Sequence, residues 1–136
     1  LHLIHKKAYE KASEFTKEKT VLDLGCNTGY GSHILKGACK EIIGVDVSEK
    51  AIKIANELYG NDGVEFSVID GKRLPFKENR FDVVVSFQVI EHIVDQGEYL
   101  KEIKRVLVPG GKIIFTTPNR LIRLYPDMKP WNEFHV

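Results

Sequence analysis

Five short runs rich in β-branched and aromatic residues, alternating with helical or loop stretches, constrain this chain more than any other feature. They are Val21-Leu22-Asp23-Leu24, Ile42-Ile43-Gly44-Val45, Val64 to Val68, Phe81 to Ser86 and Lys112 to Thr116. Several are apolar on successive positions, as strands covered on both faces are. Between them, Ala51, Ile52, Ala55 and Leu58 form an apolar stripe at helical spacing, with Ser48 at the N-cap position and Glu49 in the first turn. Leu100, Ile103, Val106 and Leu107 form another, stopped by Pro109-Gly110-Gly111. A leading helix is expected from about His2 to Lys17, with Ile4, Ala8, Ala12 and Phe15 at helical spacing. Such alternation implies right-handed crossovers and a parallel sheet, an α/β doubly wound fold with helices on both faces.

The 136 residues fit one domain spanning 1–136. The stretch 118–136 holds three prolines and no clean periodicity, and reads as an irregular tail. A formal net charge of +1 gives none of the basic excess of a dedicated nucleic-acid binder. No window approaches the ~20 apolar residues of a membrane span, and no signal peptide is visible. Cys26 and Cys39 lack CxxC spacing, which with the absent leader suggests a reducing cytoplasm. No His, Cys or acid cluster has metal-ligand spacing, so no metal is expected. The chain opens on Leu1 rather than Met, which suits a fragment or trimmed product.

The most informative stretch is Val21 to Gly31, where a strand runs into a glycine-rich turn and then a helix. Gly25 and Gly29 permit positive φ and let a ligand approach the backbone. Open α/β sheets bind ligands at this carboxyl edge. Asp46 ends the next strand about 20 residues past the first glycine, where a carboxylate can accept both hydroxyls of a ribose. Asp70-Gly71 follows the third strand at the same edge, and Asp23 precedes the turn.

The residues Val21 to Ser32, Gly44 to Asp46, Leu74-Pro75-Phe76, Phe81 to Ile93 and Arg105 to Asn119 together resemble the class I S-adenosylmethionine-dependent methyltransferases, in their small-molecule branch. The resemblance implies a strand order of 3-2-1-4-5 and S-adenosylmethionine as cofactor. It places Asp23, Gly25, Cys26 and Gly29 around the methionine moiety, with Asp23 near its ammonium. Asp46 would hold the ribose, Val47 would lie against the adenine, and Asp70 and Gly71 would meet its amino edge. Ser86 and Phe87 would offer carbonyls to the ammonium, and His5 and Tyr9 would belong to a lid. Asn27 stands where the family's middle glycine is usual. The family's sheet continues past the fifth strand with a helix and an antiparallel hairpin, which the sequence pattern does not show here.

The expected activity is methyl transfer to a small-molecule acceptor, with no identifiable catalytic residue. Glu91-His92 reads as structural, as do His33, His135, Trp131 and Phe134. A nicotinamide dehydrogenase would carry GxGxxG, whereas the glycines fall at 25, 29 and 31. A DNA amino-methylating enzyme would carry an Asn/Asp-Pro-Pro-aromatic segment where Ser86-Phe87-Gln88-Val89 stands, and a cytosine C5 enzyme of the DNA type a Pro-Cys nucleophile. A truncated module that binds the cofactor without turnover is the remaining alternative. In every case the fifth strand is expected at the sheet edge, covered by the Trp131/Phe134 tail or by pairing of two chains into a homodimer.

Overall fold

The computed structural model describes residues 2–87, 96–117 and 120–124. The chain runs α1 (His2–Ala12), a short 3-10 turn (Ser13–Phe15), β1 (Thr20–Leu24), α2 (Tyr30–Lys36), β2 (Glu41–Asp46) and α3 (Glu49–Tyr59). A second 3-10 turn (Gly60–Asp62) leads to β3 (Glu65–Val68), β4 (Phe81–Phe87), α4 (Gln96–Val106), β5 (Leu107–Thr117) and β6 (Arg120–Leu124). The sheet order is β3-β2-β1-β4-β5-β6, with the first five strands parallel.

Alternation along each strand sorts the apolar residues onto two faces. Val21, Ile42, Val83, Val85 and Ile114 pack with Ala12, Leu35, Ile52 and Ala55 from α1, α2 and α3. Leu22, Leu24, Ile43, Val45 and Phe115 pack with Ile103 and Val106 from α4. Fully burying each such aliphatic or aromatic side chain contributes about 1.5–3 kcal/mol, so both layers are needed to hold the sheet. The predicted cap of α3 is present: the Ser48 hydroxyl accepts from the Ala51 N–H at 3.1 Å.

Two features differ from the sequence expectation. Helix α4 stops at Val106, and Leu107 already pairs with Phe81 before Val83 pairs with Lys112. Val108 to Gly111 therefore bulge opposite Asp82 alone, with Gly110 at φ 82°. The second difference corrects the open edge. Arg120–Leu124 is not part of an irregular tail but a strand, β6, antiparallel to β5, from Thr117↔Arg120 to Ile113↔Leu124. The run Leu121-Ile122-Arg123-Leu124 lies between Pro118 and Pro126 and is itself free of proline, so it can satisfy the backbone groups of β5. Over Ile113 to Thr117, β6 therefore occupies the β5 edge expected to be open. Trp131, Phe134 and His135 lie outside the described residues, as do Glu91 and His92.

Candidate cofactor site

Register brings the ends of four strands side by side: Leu24 lies opposite Val45 and Ser86, and Asp46 opposite Val68. The turn after β1 holds Gly25 at φ 83°, Asn27 at φ 52° and Gly29 at φ 91°. These left-handed conformations are open to glycine and tolerable for Asn. The turn is folded against β2 rather than standing free. Gly25 N–H and Cys26 N–H both donate to the Val45 carbonyl, at 2.8 and 2.9 Å.

Asp46 closes the same junction. Its Oδ2 accepts from Asn27 N–H at 2.8 Å and its Oδ1 from Ser48 N–H at 3.0 Å. Each carboxylate oxygen accepts more than one hydrogen bond, so this half-buried group keeps capacity at the rim. Beside it Val47 is 59% exposed, which leaves an aliphatic side chain on the rim. Ile69 N–H donates to the Asp46 carbonyl at 3.0 Å, which brings the next acid alongside. Asp70 is exposed, and its Oδ1 accepts from the amides of Lys72 and Arg73 at 2.8 and 3.0 Å. Those amides hold its carboxyl below the usual value, and Oδ2 has no partner among the described residues. Gly71, at φ 80°, lies next to Val47; a Cβ there would stand 3.1 Å from Val47 Cγ1.

Asp23 is placed differently. It is fully buried beneath the turn, with Tyr9 Oη donating to Oδ1 at 3.0 Å and Ser32 Oγ donating to Oδ2 at 2.7 Å. Burial pushes its carboxyl up to about 6, against the two donors that favour the charged form. Burial, reinforced by the charge of Asp23, likewise raises the Tyr9 phenol well above its ordinary value. Tyr9 thus secures α1 to the floor, its ring lying so close to Gly31 that a Cβ there would overlap it. Cys26 is also buried, and burial raises its thiol far above the usual range. Ser86 directs its side chain toward α4, where its Oγ lies 2.8 Å from Tyr99 Oη. Phe87 ends β4, and the side chains of Phe87 and His5 lie outside the described residues.

The rim therefore gathers the 25–29 turn, Asp46, Val47, Asp70, Gly71 and the ends of β1 and β4. Asp23 and Tyr9 lie below it, holding each other. Ser32 and Tyr99 were invisible to sequence reasoning because each meets its partner only across the fold; Ser32 stood in the matched motif without a role. Among the described residues no three His, Cys, Asp or Glu side chains gather as a metal-ligating set.

A methyltransferase-domain family model matches residues 22–115. That match covers more than half of the chain. The chain belongs to the class I S-adenosylmethionine-dependent methyltransferases. This methyltransferase chain is 33% identical over 132 residues, 97% of its length and 51% of the relative's, to a Mycolicibacterium smegmatis protein named "Probable S-adenosylmethionine-dependent methyltransferase". It is 37% identical over 127 residues, 88% of its length and 36% of the relative's, to the chloroplastic tocopherol O-methyltransferase of Arabidopsis thaliana. The solved PH0226 protein of Pyrococcus horikoshii superposes with a TM-score of 0.67 at 38% identity, covering 73% of this chain and 49% of that one. The chain spans about half the length of most of these relatives. The family's cofactor is S-adenosylmethionine, and the donor set of the rim fits it: carboxylate capacity for a ribose, an exposed aliphatic surface for a purine and a free carboxylate oxygen for its amino group.

Proposed function

We propose that this chain binds S-adenosylmethionine across the ends of β1 to β4 and takes part in transferring its methyl group to a small-molecule acceptor. The observation that carries the reading is the Asp46 carboxylate, fixed at the end of β2 by two backbone amides with accepting capacity left at the rim. In this reading Asp46 accepts from the ribose hydroxyls and Val47 covers one face of the adenine. Asp70 Oδ2 accepts from the adenine amino group, with the Gly71 amide beside the ring. Gly25, Cys26 and Gly29 shape the backbone around the methionine portion, and the carbonyls of Ser86 and Phe87 accept from its ammonium.

Asp23 acts through the floor, its charge lying under the turn rather than on the ligand. Tyr9 holds α1 down over that floor. S-adenosylmethionine, when bound, supplies an electrophilic methyl group on a sulfonium. The chain's own task is orientation, which in favourable intramolecular cases is worth on the order of 7–11 kcal/mol. A general base adds a further 10²- to 10⁴-fold, roughly, where the acceptor must lose a proton.

The near-neutral charge supports a small acceptor over a nucleic acid, and so does the name of the tocopherol-methylating relative. No helix among the described residues is long and apolar enough to cross a membrane. The free state of Cys26 and Cys39 supports the cytoplasmic setting. The reading is tested by calorimetry with S-adenosylhomocysteine and, separately, NAD. Binding of the first alone is expected; binding of NAD alone, or of neither, removes the proposal.

A further inference from the structure

We infer that Arg105, acting with Glu102, is a positioning residue for the nucleobase end of the cofactor site. The segment between β3 and β4 carries Asp70 and Gly71 near its start and contains no helix or strand. What shapes it is α4. Glu102 Oε1 accepts from Leu74 N–H at 2.8 Å. Arg105 Nη2 donates to the Leu74 carbonyl and Nη1 to the Phe76 carbonyl, both at 2.8 Å. Arg105 Nε donates to Glu102 Oε2 at 2.8 Å, and Nη2 to Glu102 Oε1 at 3.1 Å.

The far half of the segment is held by the backbone of the same place. Asn79 N–H donates to the Arg105 carbonyl at 3.0 Å and Arg80 N–H to the Val106 carbonyl at 2.7 Å. Arg105 therefore grips the segment twice, by its fork and by its main chain.

A Glu and an Arg three residues apart on a helix are ordinarily a solvated surface pair of little consequence. This pair is different. The Glu102 side chain is only 14% exposed, and both residues extend hydrogen bonds to the main chain of another element. The Arg105 bond holds the Glu102 carboxyl below its usual value. The pin also reaches the rim through a short path. Leu74 is buried in the α4-side core, and the preceding residues, Lys72 and Arg73, give their amides to Asp70. A cleft of roughly 440 Å³ has both Asp70 and Arg105 in its lining. Only a guanidinium has a planar fork able to meet two carbonyls and a carboxylate at once; a lysine ammonium is a single point.

The inference rests on the reading of Asp70 as the partner of the adenine amino group. Its test compares S-adenosylhomocysteine with the analogue whose purine lacks the 6-amino group, by calorimetry, on the wild-type chain, Arg105→Gln, Arg105→Lys and Asp46→Ala. The wild type is expected to prefer the amino-bearing ligand about tenfold, a typical effect of one hydrogen bond to a charged group. Arg105→Gln should lower that preference to within about twofold, and Arg105→Lys should recover part of it. Asp46→Ala should weaken both ligands alike and keep the preference. Hydrogen exchange supplies a second readout: the amides of Lys72, Arg73, Leu74 and Phe76 should exchange faster in Arg105→Gln while β1 and β2 stay protected.

A wild-type preference that Arg105→Gln retains, or unchanged exchange at those amides, overturns this inference and leaves the Asp70 reading standing. A wild type indifferent to the amino group overturns both. Should Arg105→Gln fail to fold, Arg105→Lys decides, an unaltered preference being the overturning result.

Discussion

The Tyr9 hydroxyl donates to both oxygens of the Asp23 carboxylate, at 3.0 and 3.3 Å, and so joins the leading helix to the strand that carries the glycine turn. Neither group has solvent to fall back on. Removing the donor leaves a buried acceptor short by one bond, at a cost of about 1–3 kcal/mol. Tyr9→Phe is therefore expected to lower the urea midpoint, and to do so more at pH 7.5 than at pH 5, because the charged acceptor holds its donor more strongly. An equal loss at the two pH values would show that the bond does not depend on the charge of Asp23, and no loss at either that the ring alone matters.

Asp23 itself makes stability depend on pH. Its carboxyl stands at about 6 in the folded chain against 3.8 for the free group. A raised folded value means that its contribution is fully present below the unfolded value and is lost as pH rises through about 6. A displacement of this size is worth on the order of 3 kcal/mol. Asp23→Asn should lack the decline, so the free energy of the wild type relative to the variant should fall by that order between pH 4 and pH 7. Asp70 and Glu102, whose carboxyls are held low, act in the opposite direction in both proteins and cancel in the difference. Parallel pH profiles from chemical unfolding would contradict it.

At Gly31 the issue is space. The Tyr9 ring occupies the volume a Cβ would need. Gly31→Ala should force α1 away from α2, with a loss in the 1–3 kcal/mol range typical of overpacking. Tryptic cleavage after Lys7 and Lys11 would report it; unchanged protection there would mean that the ring moves aside and the helix stays.

Asp46→Ala removes a carboxylate read here as the ribose partner. A hydrogen bond to a charged group contributes roughly 1.5–3 kcal/mol, so S-adenosylhomocysteine should bind on the order of ten- to a hundredfold more weakly. An unaltered dissociation constant by calorimetry would reassign the ribose.

The pair Ser86 Oγ and Tyr99 Oη, 2.8 Å apart, joins a fully buried serine to a half-buried tyrosine. Burial pushes the Tyr99 phenol far above its ordinary value, so it stays a neutral donor and acceptor. Ser86→Ala and Tyr99→Phe should each cost about 1–3 kcal/mol by orphaning the other hydroxyl. The double variant should cost less than their sum. Strict additivity in the unfolding free energies would mean that water substitutes for the missing partner.

The parts legible in sequence are those whose determinants are local. The 25–29 turn declares itself by glycines that need positive φ, the α3 start by Ser48 and the strands by β-branched runs; the structure carries all three. The order of the five parallel strands followed from family resemblance. What stayed hidden depends on contacts between distant segments. Asp23 reads as one more rim acid, yet Tyr9 and Ser32 enclose it from two helices. For Glu102 and Arg105, nothing in their spacing reveals the Leu74 amide that the one accepts from or the carbonyls that the other reaches. The strand β6 was obscured by flanking prolines, although its Leu121-Ile122-Arg123-Leu124 run is suited to an extended edge.

The carbonyl of Val45 receives two amides from the turn after β1. It follows that the loop is not a self-sufficient hairpin of its glycines: its form is borrowed from the neighbouring strand. A peptide covering β1 and α2 by itself would hold the right residues in the wrong shape. Competence to embrace a nucleoside therefore arrives only when β2 docks, so that assembling the sheet and building the binding edge are one event.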